Sequence, residues 1–295
     1  MADSTSDTVG EPRSRAHGNI RRRAALLGLA ASLSAHVVAA NVFVADRRVQ
    51  NDGTQPPFRS VGMLHHPDAG AGGTAFLVSS CHIATAYHVA FLSRENPRAL
   101  TRHKATPDDA PEFLVGPDPE RASRFMAKTR ARVVAFGRFS AKDYRGMAGD
   151  WAILRLDDCL GTQYGYLRYA RTAQAGSMPS GALMTIGFPA SRSGQPGITV
   201  ERGCRAHDFG PVPDLVGVDC AFESGMSGGP ILERQADGSW LVVGLVQQSM
   251  GSVDSVLTSY SMMHRNQMLA VTAFRKAIDD AFREDAKRLL AERPR

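Results

Sequence analysis

Three short stretches carry side chains that could act together on a substrate. "GMSGGPIL" sets Ser227 among glycines, "IATAYHV" carries His88 at the end of an apolar run, and "GDWAILRLD" places Asp150 at the mouth of another. A serine hydroxyl is a weak nucleophile until a base takes its proton and a third group orients that base. Of the nine histidines, most lie in polar surroundings, whereas His88 closes an apolar segment that follows "GTAFLVSS". An ionised carboxylate at the edge of a buried strand costs desolvation unless it is paired, and an imidazole N–H is a suitable partner for Asp150. A serine in a glycine-rich turn is by itself only a turn signal. The chemistry therefore rests on the three stretches together.

The elements that must position them read as strands. "RSVGML", "GTAFLVSS", "CHIATAYHV", "ARVVAFGRF" and "DWAILRL" come first; "GALMTIGF", "ITVERGC", "VGVDC", "GPILER" and "WLVVGLVQ" follow. They are short, often alternating, rich in Val, Ile, Thr and aromatics, and separated by Gly, Pro, Asp and Ser. Many short strands without intervening helices indicate an all-β sandwich or barrels. Residues 94–125 are charged and proline-rich and read as a surface excursion. Near the C-terminus, Met268, Leu269, Val271, Phe274, Ile278, Phe282 and Leu289 recur at helical spacing, which predicts an amphipathic helix over 266–295 packed on the β core.

The N-terminus reads as an export segment. A polar stretch ends in Arg21, Arg22 and Arg23, an apolar run follows, and small residues at Val38-Ala39-Ala40 fit a cut before Asn41. If uncut, residues 24–45 are about long enough to anchor the chain in a membrane. Either way the remainder is exported, to the periplasm or beyond. The net charge of +6 is scattered, with five arginines in the first twenty-three residues, and no basic stripe interleaves with aromatics. Nucleic-acid binding is not expected. Four cysteines in an exported chain suggest two disulfides, with three pairings open. None sits in a C-x-x-C arrangement or beside a histidine at ligand spacing, so no metal site is expected.

The blocks "GTAFLVSSCHIATAYHV", "GDWAILRLD" and "GMSGGPIL", in that order, resemble the active-site blocks of trypsin-like (chymotrypsin-fold) serine proteases. "DRRVQNDGTQPPFRSVGML" and "IGFP" look more like the bacterial glutamyl-endopeptidase branch. The resemblance spans roughly residues 46–265. It implies two packed six-stranded antiparallel barrels, divided near residues 160–178, with the cleft between them. It further implies that His88 acts as general base, Asp150 orients it, and Ser227 attacks the peptide carbonyl, with backbone N–H groups of Gly225 and Ser227 facing the oxyanion. Neither cofactor nor metal enters, and the partners are protein or peptide substrates. A membrane is a partner only if the N-terminal segment stays uncut.

Further expectations depend on the resemblance. It pairs Cys81 with Cys159, and Cys204 with Cys220. It sets Ala221 and Phe222 at the base of the specificity pocket, and Val246, Gln247 and Gln248 along one wall. With no carboxylate at Ala221 and no histidine at Val246, cleavage after small or medium uncharged residues is expected, and Glu223 is read as facing solvent. Met226 replaces the family's Asp or Asn before the nucleophile, which removes the switch that pairs a carboxylate with a freed amine. Tyr87 is larger than the residue usual before the histidine. His82 reads as a surface or turn residue, and His65, His66 and His103 receive no role. Two other readings are an inactive protease-like binding protein and an esterase using the same triad.

Overall fold

In this computed structural model, residues 40–92, 110–171, 178–250, 256–261 and 264–291 are described. The expected export segment lies outside them, except for its last residues. Those form a strand, β1 (Ala40–Phe43), with Val42 and Phe43 buried, so a bilayer-spanning helix does not extend through Phe43. A second short strand follows, β2 (Val49–Asn51). No helix among the described residues is long and apolar enough to cross a membrane.

Six antiparallel strands then close a barrel. They are β3 (Val61–His66), β4 (Ala71–Leu77), β5 (His82–Thr85), β6 (Glu112–Pro117), β7 (Phe125–Phe136) and β8 (Ala152–Leu156), in the order β3-β4-β5-β8-β7-β6. Closure leaves no sheet edge to protect. Leu64, Ile83, Phe113 and Leu154 share one face of it by register and are fully buried, each contributing roughly 1.5–3 kcal/mol of hydrophobic stabilisation. β6 lies inside the stretch read as a surface excursion. Phe113 and Val115 point inward there, and charge around a short strand hid its alternation. Residues 94–109 of that stretch lie outside the description.

The second half is an eight-stranded antiparallel sheet rather than a six-stranded barrel. Its strands are β9 (Leu183–Gly187), β10 (Ile198–Cys204), β11 (Ala206–Phe209), β12 (Leu215–Val218), β14 (Pro230–Arg234), β15 (Trp240–Met250) and β17 (Arg265–Ala270), with β2 at one edge. A small sheet sets β1 between β13 (Phe222–Glu223) and β16 (Val256–Thr258). β17 corrects the expected helix over 266–295. Residues 265–270 pair with β12 and β15, and the sheet's need for a strand between those two overrides the helical spacing of Met268, Leu269 and Val271.

Among the described residues, three single-turn helices, α1 (Tyr87–Ala90), α2 (Tyr144–Met147) and α3 (Gly161–Tyr164), interrupt the strands, and one longer helix, α4 (Arg275–Ala291), follows them. Phe274, just before α4, and Ile278 in its first turn are buried, while Phe282 is 56% exposed. Polar anchors complete the docking: Arg155 donates to Asp285 at 2.8 Å, and the Tyr169 hydroxyl to Asp279 at 2.5 Å. His82 lies beneath α4, 3% exposed, with Ser79 Oγ 2.9 Å from its Nδ1 and Asp285 3.7 Å from its Nε2. This corrects the surface reading: α4, far away in sequence, covers it.

Disulfides join Cys81 to Cys159 and Cys204 to Cys220. Asp219 neighbours the second pair, but sulfurs bonded to each other are not thiolate ligands, so that cluster offers no metal site. Two disulfides suggest an extracytoplasmic environment.

Candidate active site

β5 ends at Thr85, and α1 begins two residues later, which lifts His88 off the barrel rim. The Asp150 carboxylate meets it there twice: Oδ1 accepts the His88 backbone N–H at 3.0 Å, and the Nδ1–H lies 2.9 Å from Oδ2. Asp150 is 2% exposed. Burial works against an imidazolium at His88, but the charge and hydrogen bond of Asp150 outweigh it and raise the pKa above the ordinary value. Donation from Nδ1 leaves Nε2 as the basic nitrogen. Tyr87 finds its space in an aromatic nest, stacked on Phe91 at 4.3 Å and flanked by Phe136 and Phe139.

Ser227 approaches from the other sheet. Its carbonyl accepts the Thr74 N–H at 2.9 Å, and a side chain on Gly228 would strike Thr85 Oγ1 and the Ala86 nitrogen. The serine turn thus packs on the two residues that lead into α1. Gly228 must be glycine on two counts: φ is +80° and there is no room for a Cβ. Gly225 is constrained in the same way, with φ +90° and the Phe188 carbonyl 2.3 Å from where a Cβ would stand. Among the described residues, the N–H groups of Gly225 and Ser227 take no backbone partner. A turn with two free N–H groups beside a serine can receive a developing oxyanion.

Several supports were not read from sequence. Thr74 Oγ1 donates to the Gly225 carbonyl at 2.7 Å and accepts the Phe188 N–H at 3.2 Å. His66, 2% exposed, donates from Nε2 to the Val89 carbonyl at 2.8 Å and so holds α1; burial pushes its pKa down. Gln247 Nε2 donates to the Met147 carbonyl, which also accepts the Asp150 N–H. Its amide therefore braces the Asp150 loop. Strand alternation does not reveal such contacts, because the partners lie on separate elements, between 23 and 151 residues apart.

Ala221, Phe222 and Val246 are all buried, just before the serine turn and on the adjacent strand. Gly228 N–H donates to the Val246 carbonyl, which ties that strand to the turn. Gln248 pairs through its backbone with Gln267, and its side chain lies outside the described residues. Behind Ala221 stands a buried carboxylate that sequence reading missed. Glu201 accepts the Ala221 N–H at 2.6 Å and an Arg47 guanidinium hydrogen bond at 3.2 Å. Burial raises its pKa, opposed by those two partners.

A cleft of about 360 Å³ opens between the two halves onto Gly225, lined in part by Met63, Phe125, Phe188 and Ala190. A larger one of about 730 Å³ lies beside α4, with no serine, threonine or cysteine in its lining. Of the two, the smaller cleft reaches the serine turn, through Gly225.

The model of the trypsin-like peptidase domain matches residues 73–245, a span that holds His88, Asp150 and Ser227. The chain belongs to the trypsin-like peptidase family. That membership implies peptide substrates. A structure of Glu endopeptidase in complex with MPD superposes with a TM-score of 0.59 at 17% identity, covering 81% of this chain and 98% of that one. Protease Anisep from Arthrobacter nicotinovorans gives 0.52 at 14% identity, covering 76% and 93%. At such identity they establish the chymotrypsin-like fold and nothing finer. No curated protein matches this trypsin-like chain.

Proposed function

We propose that the chain is an exported serine endopeptidase that cleaves peptide bonds through an acyl-enzyme on Ser227. The observation that carries this reading is the paired His88 and Asp150, with the hydrogen bond at Nδ1 and the serine turn packed on the same rim. His88 Nε2 takes the Ser227 proton as Oγ attacks the carbonyl, and the tetrahedral oxyanion is met by the Gly225 and Ser227 N–H groups. The imidazolium, stabilised by Asp150, then protonates the leaving amine. Water repeats the sequence to free the acid and restore the serine. In unliganded enzymes the contact from serine to histidine is often long and tightens with substrate. Export is supported by the two disulfides and by the basic, then apolar, N-terminal sequence.

The pocket reading favours small or medium uncharged side chains before the cut. Ala221, Phe222 and Val246 bring no charge, and Glu201 is already engaged by Ala221 and Arg47. A buried substrate charge would lack a partner there. Digestion of a proteome-derived peptide library, read by mass spectrometry, tests both parts. Expected are cuts after uncharged residues with the wild-type chain and their loss in Ser227→Ala, a drop on the order of a million-fold. Cutting undiminished in Ser227→Ala contradicts the nucleophile; cuts dominated by Arg, Lys or Glu contradict the pocket.

A further inference from the structure

Glu223 does not face solvent. It is 5% exposed and lies two residues before Gly225, where its carboxylate is fully engaged. Oε1 accepts the Ser191 N–H at 2.6 Å, and Oε2 accepts the Ser191 hydroxyl at 2.7 Å and Arg48 Nη1 at 2.6 Å. Arg48 is itself 7% exposed and is held in place by Asp46 through Nε at 2.9 Å and Nη2 at 2.9 Å. Asp46 also receives Arg192 at 3.1 Å. The backbone follows the same scheme. Ala190 N–H donates to the Ser224 carbonyl, and Met226 N–H to that of Glu223, closing the turn. β1, just before this arm, pairs Asn41 with Phe222 and Ala40 with Glu223.

The turn Glu223–Gly228 is thus held on one side by Thr74 and on the other by a buried ion pair whose cation comes from the opposite end of the sequence. Met226 brings no carboxylate to that task, and its Sδ lies 4.0 Å from Arg48 Nη1. We propose that Arg48 and Glu223 are positioning residues for the oxyanion turn: the arm Asp46–Arg48 and the Ser191 loop clamp Glu223, and this fixes the Gly225 and Ser227 N–H groups for the tetrahedral intermediate. This rests on the serine-peptidase reading. A buried pair with both ends hydrogen-bonded is costly to break from one side, because the remaining charge is stranded. Its geometric specificity is what a site aimed at a transient oxyanion requires.

The test uses the full chain in four forms: wild type, Arg48→Met, the double variant Arg48→Met/Glu223→Gln, and Arg132→Met as a control that breaks a surface pair with Asp157. The double variant removes both charges, so a stranded Glu223 cannot unfold it. Turnover, KM and the affinity of a peptide boronate, which binds as a tetrahedral adduct, are measured with far-UV and near-UV circular dichroism. Expected in the double variant is native dichroism, a fall in kcat of about a hundredfold with KM nearly unchanged, and boronate affinity weakened to a similar degree. Arg132→Met keeps wild-type values. Wild-type kcat and boronate affinity in a folded double variant overturn the proposal, as does a loss confined to KM. If the wild-type chain itself forms no boronate adduct and cuts no peptide, the peptidase reading fails and the proposal falls with it.

Discussion

At His88, burial and charge act in opposite senses, and the balance sets the pH dependence. Burial disfavours the imidazolium, but Asp150 favours it more, so the folded-state pKa lies above the ordinary 6.5. Only the neutral ring can take the Ser227 proton. The acid limb of kcat/KM is therefore expected above pH 6.5, falling as pH drops through that raised value. Stability has the opposite sign: the contribution of the pair is fully present below about pH 6.5 and is lost as pH rises through the folded-state pKa. Asp150→Asn should lower turnover by about ten-thousandfold and abolish this opposition between the two profiles. A pH–rate series with thermal melts on both forms checks it; an acid limb well below 6.5 in the wild type contradicts it. The candidate residues His88, Asp150 and Ser227 could be picked out because each sits in a local pattern of its own, and the first two meet in the structure. Arg48, Thr74 and His66 were not: Arg48 meets Glu223 across 175 positions and Thr74 meets Gly225 across 151, and nothing adjacent to them in sequence marks the contact.

Among the elements, the strands that form the barrel were legible from alternation except β6, whereas β17 and α4 were not separable. The run from Arg265 to Ala270 is buried throughout, and a fully buried strand has no polar face to betray its period. α4 itself is docked by few contacts, since Phe282 is exposed and its polar faces carry ion pairs such as Lys276 with Asp280. Arg155 with Asp285 is the partly buried exception, 22% and 18% exposed at the side chains. Arg155→Met is expected to lower stability by about 1–2 kcal/mol, more than a surface pair because the largely covered Asp285 is left with the more distant Arg288, at 3.8 Å. Denaturant titration measures this, with peptide hydrolysis per folded molecule unchanged because α4 is remote from Ser227. A change in turnower at constant stability would show that α4 reaches the site.

For the molecule as a whole, the division of labour follows the two sheets. The closed barrel carries His88 and Asp150, the eight-stranded sheet carries Ser227, and the arm leading from β1 to β2 ties the serine turn to the N-terminal end of the described domain. The second sheet differs from the expected six-stranded barrel because β2 and β11 extend it at its edges, and short edge strands of this kind carry little periodicity to be read. The Cys204–Cys220 bridge closes a short loop of that sheet, with a separation of 16 residues, and contributes about 3 kcal/mol by restricting the unfolded chain. The central claim is that this assembly activates Ser227 as a nucleophile. Its most direct measurement is treatment of the folded chain with a fluorophosphonate probe, followed by peptide mapping. The phosphonyl group replaces fluoride on the attacking oxygen, so the label records which hydroxyl is activated. One adduct is predicted, on the peptide carrying Ser227, absent from Ser227→Ala and strongly slowed in His88→Ala; a folded wild-type chain that takes no label, or takes it on another residue, contradicts the account.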